Sequence, residues 1–255
     1  MQDLKIGILQ FDQVWQDKQA NFEKISELLA AQSSDIDLLL LPEMFQTGFT
    51  MDLALAEAMQ GASIQFLKEL ARSNNFAVYT SLIIAENQCF FNRGIFVSPD
   101  GQVYTYDKRK SFGLGGEDQF FTAGLSRTVV SFKEWKINLQ ICYDLRFPEL
   151  CRNQHKEGQA AYDVLLYVAN WPSKRIFHWD ALLKARAIEN QCYVLACNRV
   201  GTDANQLSYN GHSQAVDMFG NDLLTPQEQE GLYVVNISAT TLMEGRKNLP
   251  FLKDA

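Results

Sequence analysis

The sequence holds 255 residues, 47% of them hydrophobic, with a net charge of −7 and a pI near 5.0. A chain of that length in one domain buries roughly three quarters of its unfolded surface, and an acidic chain without a lysine–arginine run matches neither nucleic acid nor an anionic membrane as partner. The opening MQDLKIGILQFDQVW does not read as a signal peptide, no window reaches the ~20 apolar residues of a membrane span, and five cysteines (89, 142, 151, 192 and 197) without a secretory signal read as reduced thiols of a cytoplasmic protein.

In chain order, LKIGILQF (4–11) sets Leu4, Ile6 and Ile8 on one face and Leu9 and Phe11 on the other, a strand covered on both sides. Residues 17–32 predict a helix with Phe22, Ile25, Leu28 and Leu29 on one side. Next, Asp37-LLLL is a buried strand halted by Pro42, with Glu43 just beyond it. Apolar positions 55, 58, 59, 64, 67 and 70 predict helix in two pieces, divided near Gly61. Strands follow at 76–85 and 90–98, and Pro99-Asp100-Gly101 turns the chain into a third at 102–106. After YDKRK the glycine-rich SFGLGGEDQFFTAG reads as irregular, and strands at 128–132 and 137–142 come next.

The second half repeats this grammar: helix 148–157, strand 163–169 ending in Asn170-Trp171-Pro172, helix Trp179–Gln191 and strand 193–199. A loop rich in Gly, Asn and Asp leads to two last strands, 213–219 and 232–237, joined by a turn. The segments Asp37-LLLL and Asp163-VLLYV resemble each other, as two similar halves would, or as two buried strands do by chance. No low-complexity linker separates them, so one domain over 1–255 is expected. So many strands with at least four helices exceed one sheet and one helical layer; two sheets face to face with helices outside is the predicted architecture.

The chemistry centres on INLQICYDLRFPELC (137–151). Ile137, Leu139 and Ile141 alternate with polar neighbours until Cys142, after which Tyr143, Asp144 and Arg146 lead to Pro148, a residue suited to a helix's first turn. A thiol at the tip of a strand before a strand-to-helix turn is placed as a nucleophile; the plainer reading is a small buried hydrophobe. A nucleophilic thiol needs a base or a nearby cation. His155, His178 and His212 have no strand-end setting, and with no CxxC they suggest no metal site either. Glu43 and Lys108, which follow LLLLP and VYTYD, could instead be a helix cap and a solvated edge charge. Beside Cys142 they make a unit: the carboxylate accepts the thiol proton, and the ammonium ion stabilises thiolate and then oxyanion.

Three segments, LLLLPEMFQTGF, YDKRKSF and LQICYDLRFPEL with the following DVLLYVANWP, resemble in order the signature regions of the nitrilase superfamily of carbon–nitrogen hydrolases. The similarity extends through HWDALLKARAIENQCYVLACNRVG to the tail R-K-N-L-P-F. It implies an α/β fold, a four-layer α-β-β-α sandwich, with Glu43 as general base and acid, Lys108 as stabiliser of the tetrahedral intermediate and Cys142 as nucleophile. The family's second glutamate matches Glu117, in a loop that departs from the commoner histidine-bearing form, Lys110-Ser111 standing where His-Leu is frequent. The resemblance implies no cofactor, and a homodimer or higher oligomer in which the tail 242–255 contacts the partner subunit.

CYDLRFPEL and YVANWP resemble the ω-amidase branch, which hydrolyses the terminal amide of 2-oxo dicarboxylic acid monoamides such as 2-oxoglutaramate. Such a substrate carries a carboxylate, for which Arg146, Arg175 and backbone amides near Trp171 are candidates; each arginine could equally serve a surface or subunit salt bridge. Phe45, Tyr143 and Trp171 follow strand ends, where they either wall the pocket or pack in the core. A carbamoyl amino acid or aliphatic amide as substrate, or a catalytically silent scaffold, are the alternatives.

Overall fold

The computed structural model describes residues 1–32, 35–156 and 158–254. The chain runs β1 (Leu4–Gln10), α1 (Lys18–Ala30), β2 (Leu38–Leu40), α2 (Ala62–Asn74), β3 (Ala77–Glu86), β4 (Cys89–Val97), β5 (Val103–Asp107), α3 (Glu117–Phe120), β6 (Val129–Phe132) and β7 (Trp135–Ile141). It continues through α4 (Pro148–Cys151), β8 (His155–Lys156), β9 (Gln159–Ala160), β10 (Val164–Val168), α5 (Ile176–Asn190) and β11 (Tyr193–Cys197). The last elements are β12 (Val200–Thr202), β13 (Ser208–Asn210), β14 (Ser213–Val216), β15 (Asp222–Gln227), β16 (Gly231–Ile237) and α6 (Ala239–Asn248).

Two six-stranded sheets, ordered β16-β1-β2-β3-β4-β5 and β15-β14-β11-β10-β7-β6, form the inner layers of a four-layer α-β-β-α sandwich. Side-chain alternation explains the layering. Leu38 and Leu40 join Ile6, Ile8, Ala77 and Tyr79 in the core between the sheets, against Ile137, Leu139 and Ile141. Their neighbours Leu39 and Leu41 face the other way, onto Ile25 of α1 and Ile64 and Leu67 of α2. On the far side, Trp179, Leu183 and Ala187 of α5 cover the second sheet. No helix among the described residues is long and apolar enough to cross a membrane.

The likeness between Asp37-LLLL and Asp163-VLLYV has a structural counterpart. β2 lies between parallel neighbours β1 and β3, and β10 between parallel neighbours β7 and β11. Each aspartate caps a neighbouring strand: Asp37 accepts from the Lys5 N–H at 2.8 Å, and Asp163 from the Lys136 N–H at 3.1 Å. The carboxyl ends of these strand trios come together, and open α/β sheets bind ligands at such ends.

Several boundaries differ from expectation. The helix predicted over 148–157 stops at Cys151, because Arg152 leaves the helical region (ψ 118) and Asn153 is held by Asn190 and the Tyr162 carbonyl; Glu157 lies outside the described residues. The strand predicted over 213–219 ends at Val216, where the Asp217 carboxylate takes the N–H groups of Phe219 and Asn221 and turns the chain into β15, a sheet-edge strand with Pro226 in place of the expected turn. The loop after β11 contains the β12–β13 hairpin. The tail packs on its own chain as α6 and a 3-10 turn (Phe251–Asp254), with Arg246 bonded to the Gln191 and Tyr162 carbonyls and to Asp163 at 2.6 Å.

Candidate active site

β7 ends at Ile141, and Cys142 opens a 3-10 turn with φ 43, in the left-handed region that a residue bearing a side chain rarely adopts. Asp144 holds that turn. Its Oδ2 accepts from the Ile141 N–H (3.1 Å) and the Tyr106 hydroxyl (2.9 Å), and its Oδ1 from the Lys110 N–H (3.0 Å). Burial pushes the Asp144 carboxyl up to about 6, against the opposing pull of Lys108 and those hydrogen bonds. The bonds to Tyr106 and Lys110 tie the cysteine turn to β5 and to the loop that carries Lys108.

Glu43, Lys108 and Glu117 converge beside the thiol, all three almost wholly buried. Lys108 Nζ lies 2.8 Å from Glu43 Oε1 and 2.8 Å from Glu117 Oε2. Burial would lower the lysine, but Glu117 and Glu43 outweigh it and hold it above its ordinary value. Asn92, on β4, donates to both carboxylates at 2.8 and 3.0 Å. The Asn170 N–H reaches Glu43 Oε2 at 3.0 Å, and the Phe112 N–H reaches Glu117 Oε2 at 2.6 Å. Buried charges persist only when paired and hydrogen-bonded in this way. Burial, and then the Glu43 charge, push the Cys142 thiol well above the usual thiol range despite Lys108.

A cavity of about 610 Å³ opens over this cluster, with Lys108 and Cys142 in its lining. Tyr143, Trp171, Arg146 and Arg175 line it as well. Arg146 stacks 4.7 Å from the Trp171 ring, and Arg175 lies 5.3 Å from the Phe112 ring. Neither guanidinium has a carboxylate partner among the described residues.

Two expectations are corrected. Phe45 does not line the cavity: the chain reverses at Met44 (φ 47), and Phe45 turns into the helix-side core, stacked 5.9 Å from Phe22 and 6.1 Å from Phe66. Phe49 and Phe112 join Tyr143 and Trp171 in the aromatic lining instead. The backbone amides of Asn170 and Trp171 are already engaged, the first by Glu43 and the second by Asn198 Oδ1 at 2.8 Å, so these two do not receive a substrate carboxylate.

Sequence reasoning missed Asn92, Asn170, Asp144, Tyr209 and Asp203. Asn92 left a signal: an amide directly after Phe90-Phe91 in a strand implies a buried polar partner. Asn170 stood within the quoted YVANWP segment without being given a role.

Residues 5–247 match the family model described as carbon–nitrogen hydrolase. The chain is 38% identical over 256 residues to the Omega-amidase YafV of Escherichia coli (strain K12), covering 100% of this chain and 98% of that one. It is 32% identical to a 2-oxoglutaramate amidase of Bacillus subtilis (strain 168), covering 98% and 96%. A crystal structure of XC1258 from Xanthomonas campestris, described as a CN-hydrolase superfamily protein with an arsenic adduct in its active site, superposes with TM-score 0.96 at 40% identity, covering 100% of this chain and 98% of that one.

Proposed function

This chain belongs to the carbon–nitrogen hydrolase family and is an amidase of the kind its relatives represent; from that premise we propose that it hydrolyses the terminal amide of a short 2-oxo dicarboxylic acid monoamide resembling 2-oxoglutaramate. The observation that carries this reading is one cavity lined by two kinds of group. Cys142 and Lys108 supply the chemistry, and Arg146 and Arg175 supply cations without a carboxylate of their own. A guanidinium receives a substrate carboxylate through paired N–H donors, and both arginines are half-buried, where such a contact counts for more than at an open surface.

In the proposed reaction Cys142 Sγ attacks the amide carbon as Glu43 takes the thiol proton. The oxyanion that forms is stabilised by Lys108 and by the first N–H groups of the turn after Cys142, which have no partner within the turn. Glu43 returns the proton to the nitrogen, the C–N bond breaks, and ammonia leaves a thioester on Cys142. Water then attacks that thioester with Glu43 again as base, restoring the thiol and releasing the diacid. Glu117 and Asn92 hold Lys108 and Glu43 in place through both halves.

Ammonia release from 2-oxoglutaramate, succinamate, glutamine, asparagine, butyramide and N-carbamoyl amino acids tests the substrate. A site built around a buried polar contact rejects a ligand lacking it, often by more than about 10²-fold. The two monoamides carrying a carboxylate and no ammonium are therefore expected to react far faster than butyramide. If butyramide or a carbamoyl amino acid reacts faster, the family assignment stands and the substrate assignment falls.

A further inference from the structure

The β12–β13 hairpin supplies another part of the cavity lining, through Asp203, Asn205, Leu207 and Tyr209. It is pinned beside the Trp171 loop, where Ser173 Oγ donates to the Ser208 carbonyl at 2.6 Å. The Tyr209 ring rests 4.7 Å from the guanidinium carbon of Arg199, which is fully buried and ion-paired to Asp12 at 2.7 Å. The ring is thereby fixed, and its hydroxyl donates to Asp203 Oδ2 at 2.9 Å. Asp203 is itself buried, and its Oδ1 accepts from the N–H groups of Asn205 (2.9 Å) and Leu207 (3.0 Å). No cation pairs with Asp203 among the described residues.

A tyrosine hydroxyl has one proton and two lone pairs, and a carboxylate has lone pairs only. Burial, and then Asp203, hold the Tyr209 hydroxyl above its ordinary range, so it keeps that proton and commits it to Asp203. What the pair presents to a ligand is therefore a hydrogen-bond acceptor and a negative charge. Tyr209 lines the same cavity as Cys142 and Lys108, so the pair faces a ligand seated over the thiol.

We propose that Tyr209, held by Asp203, is a specificity residue that accepts a hydrogen bond from the N–H of the scissile amide and excludes leaving groups without a donor. An amide nitrogen has hydrogens to give and no basic lone pair, so it fits an acceptor. An ester oxygen or a product carboxylate brings lone pairs against lone pairs. Tyr209 transfers no proton; the nitrogen still receives its proton from Glu43. The cavity thus has a cationic region at Arg146 and Arg175 and an acceptor region at Tyr209 and Asp203, which orients a monoamide and disfavours retention of the diacid.

This inference rests on the amidase reading above and is tested by comparing succinamate with monomethyl succinate. Both substrates carry the same carboxylate and give the same acyl-enzyme, so the ratio of their kcat/KM values reports the leaving-group contact alone. Tyr209→Phe keeps the ring and removes the acceptor; the amide-to-ester ratio is expected to fall at least about tenfold, the loss of roughly one hydrogen bond. Asp203→Asn retains an acceptor for Asn205 and Leu207 but turns an amide N–H toward Tyr209, freeing the hydroxyl proton to point at the ligand. Its ratio is expected to fall as well, with succinate inhibiting more tightly than in the wild type. Equal losses on both substrates in both variants, or unchanged ratios, overturn the proposal while leaving the amidase reading intact. A wild-type protein that cleaves neither substrate overturns the monoamide reading and this proposal with it.

Discussion

Burial and the Glu43 charge hold the Cys142 thiol well above the usual thiol range, and the residues around it explain why. The sequence suggested a thiol activated by a neighbouring ammonium ion, but Lys108 is already engaged by two carboxylates, a pairing across 65 and 9 residues of chain that linear order does not display. Burial and Glu43 therefore prevail over Lys108, and on the proposed mechanism the thiol loses its proton to Glu43 as it attacks. Opposite signs follow for two variants. Lys108→Met is expected to move Cys142 alkylation to higher pH and to cost at least about 10²-fold in rate, as loss of an oxyanion donor does. Glu43→Gln is expected to move alkylation to lower pH, because it removes a negative neighbour, while abolishing proton transfer. Alkylation curves that shift together, or not at all, contradict this placement of charge. Glu43, Lys108 and Cys142 were legible because each stands at or just past the end of a predicted strand. Phe45 was misjudged because one left-handed residue, Met44, sends the next side chain to the opposite layer.

The element that decides reactivity is the turn from β7 into α4, and Asp144 is its keystone. Asp144 is raised from 3.8 to about 6 by burial, so between those values the folded state binds a proton that the unfolded state has released. Stability is then greatest below pH 4 with respect to this group, declines as pH rises through about 6, and is level above it; the cost of ionisation is on the order of 3 kcal/mol. Function runs the other way, because a protonated Asp144 has one acceptor fewer for Ile141, Tyr106 and Lys110. Activity is expected to fall below pH 6 as the turn loosens. Asp144→Asn is expected to flatten the pH dependence of unfolding between pH 4 and 6, measured by urea titration. A slope unchanged by the substitution would show that another group is responsible. At this scale the sequence revealed strands ending in functional residues, since alternation and Pro42 or Pro172 mark them. It hid the short end of α4 and strand β15, which depend on Asn153 and Asp217 side chains bonding to backbone elsewhere in the fold.

Across the whole molecule, two sheets with facing hydrophobic surfaces were implied by the number of covered strands, whereas which loops meet over the thiol was not. The cavity lining joins segments from Trp15 to Tyr209, an arrangement fixed by the packing of one sheet on the other rather than by local pattern. The tail was expected to reach a partner because it is poor in apolar residues. It nonetheless buries Leu242 and Leu252 on its own chain and leaves Met243 and Phe251 exposed, with Phe219 against Gly245 and Ile188 against Gly220 also partly exposed. An apolar surface of this kind is expected to be covered in solution by a second copy; light scattering at micromolar concentration should give at least a dimer, and a monomer of 29.0 kDa would contradict that expectation. The most direct test of the central claim, a thioester formed on Cys142, is rapid acid quenching during turnover of succinamate followed by intact-protein and peptide mass measurement. One acyl group per chain is expected, located on Cys142 and absent from Cys142→Ala, whose turnover should fall more than roughly 10³-fold. Acylation at Cys151 or Cys192, or a Cys142→Ala variant that still releases ammonia at a comparable rate, would contradict it.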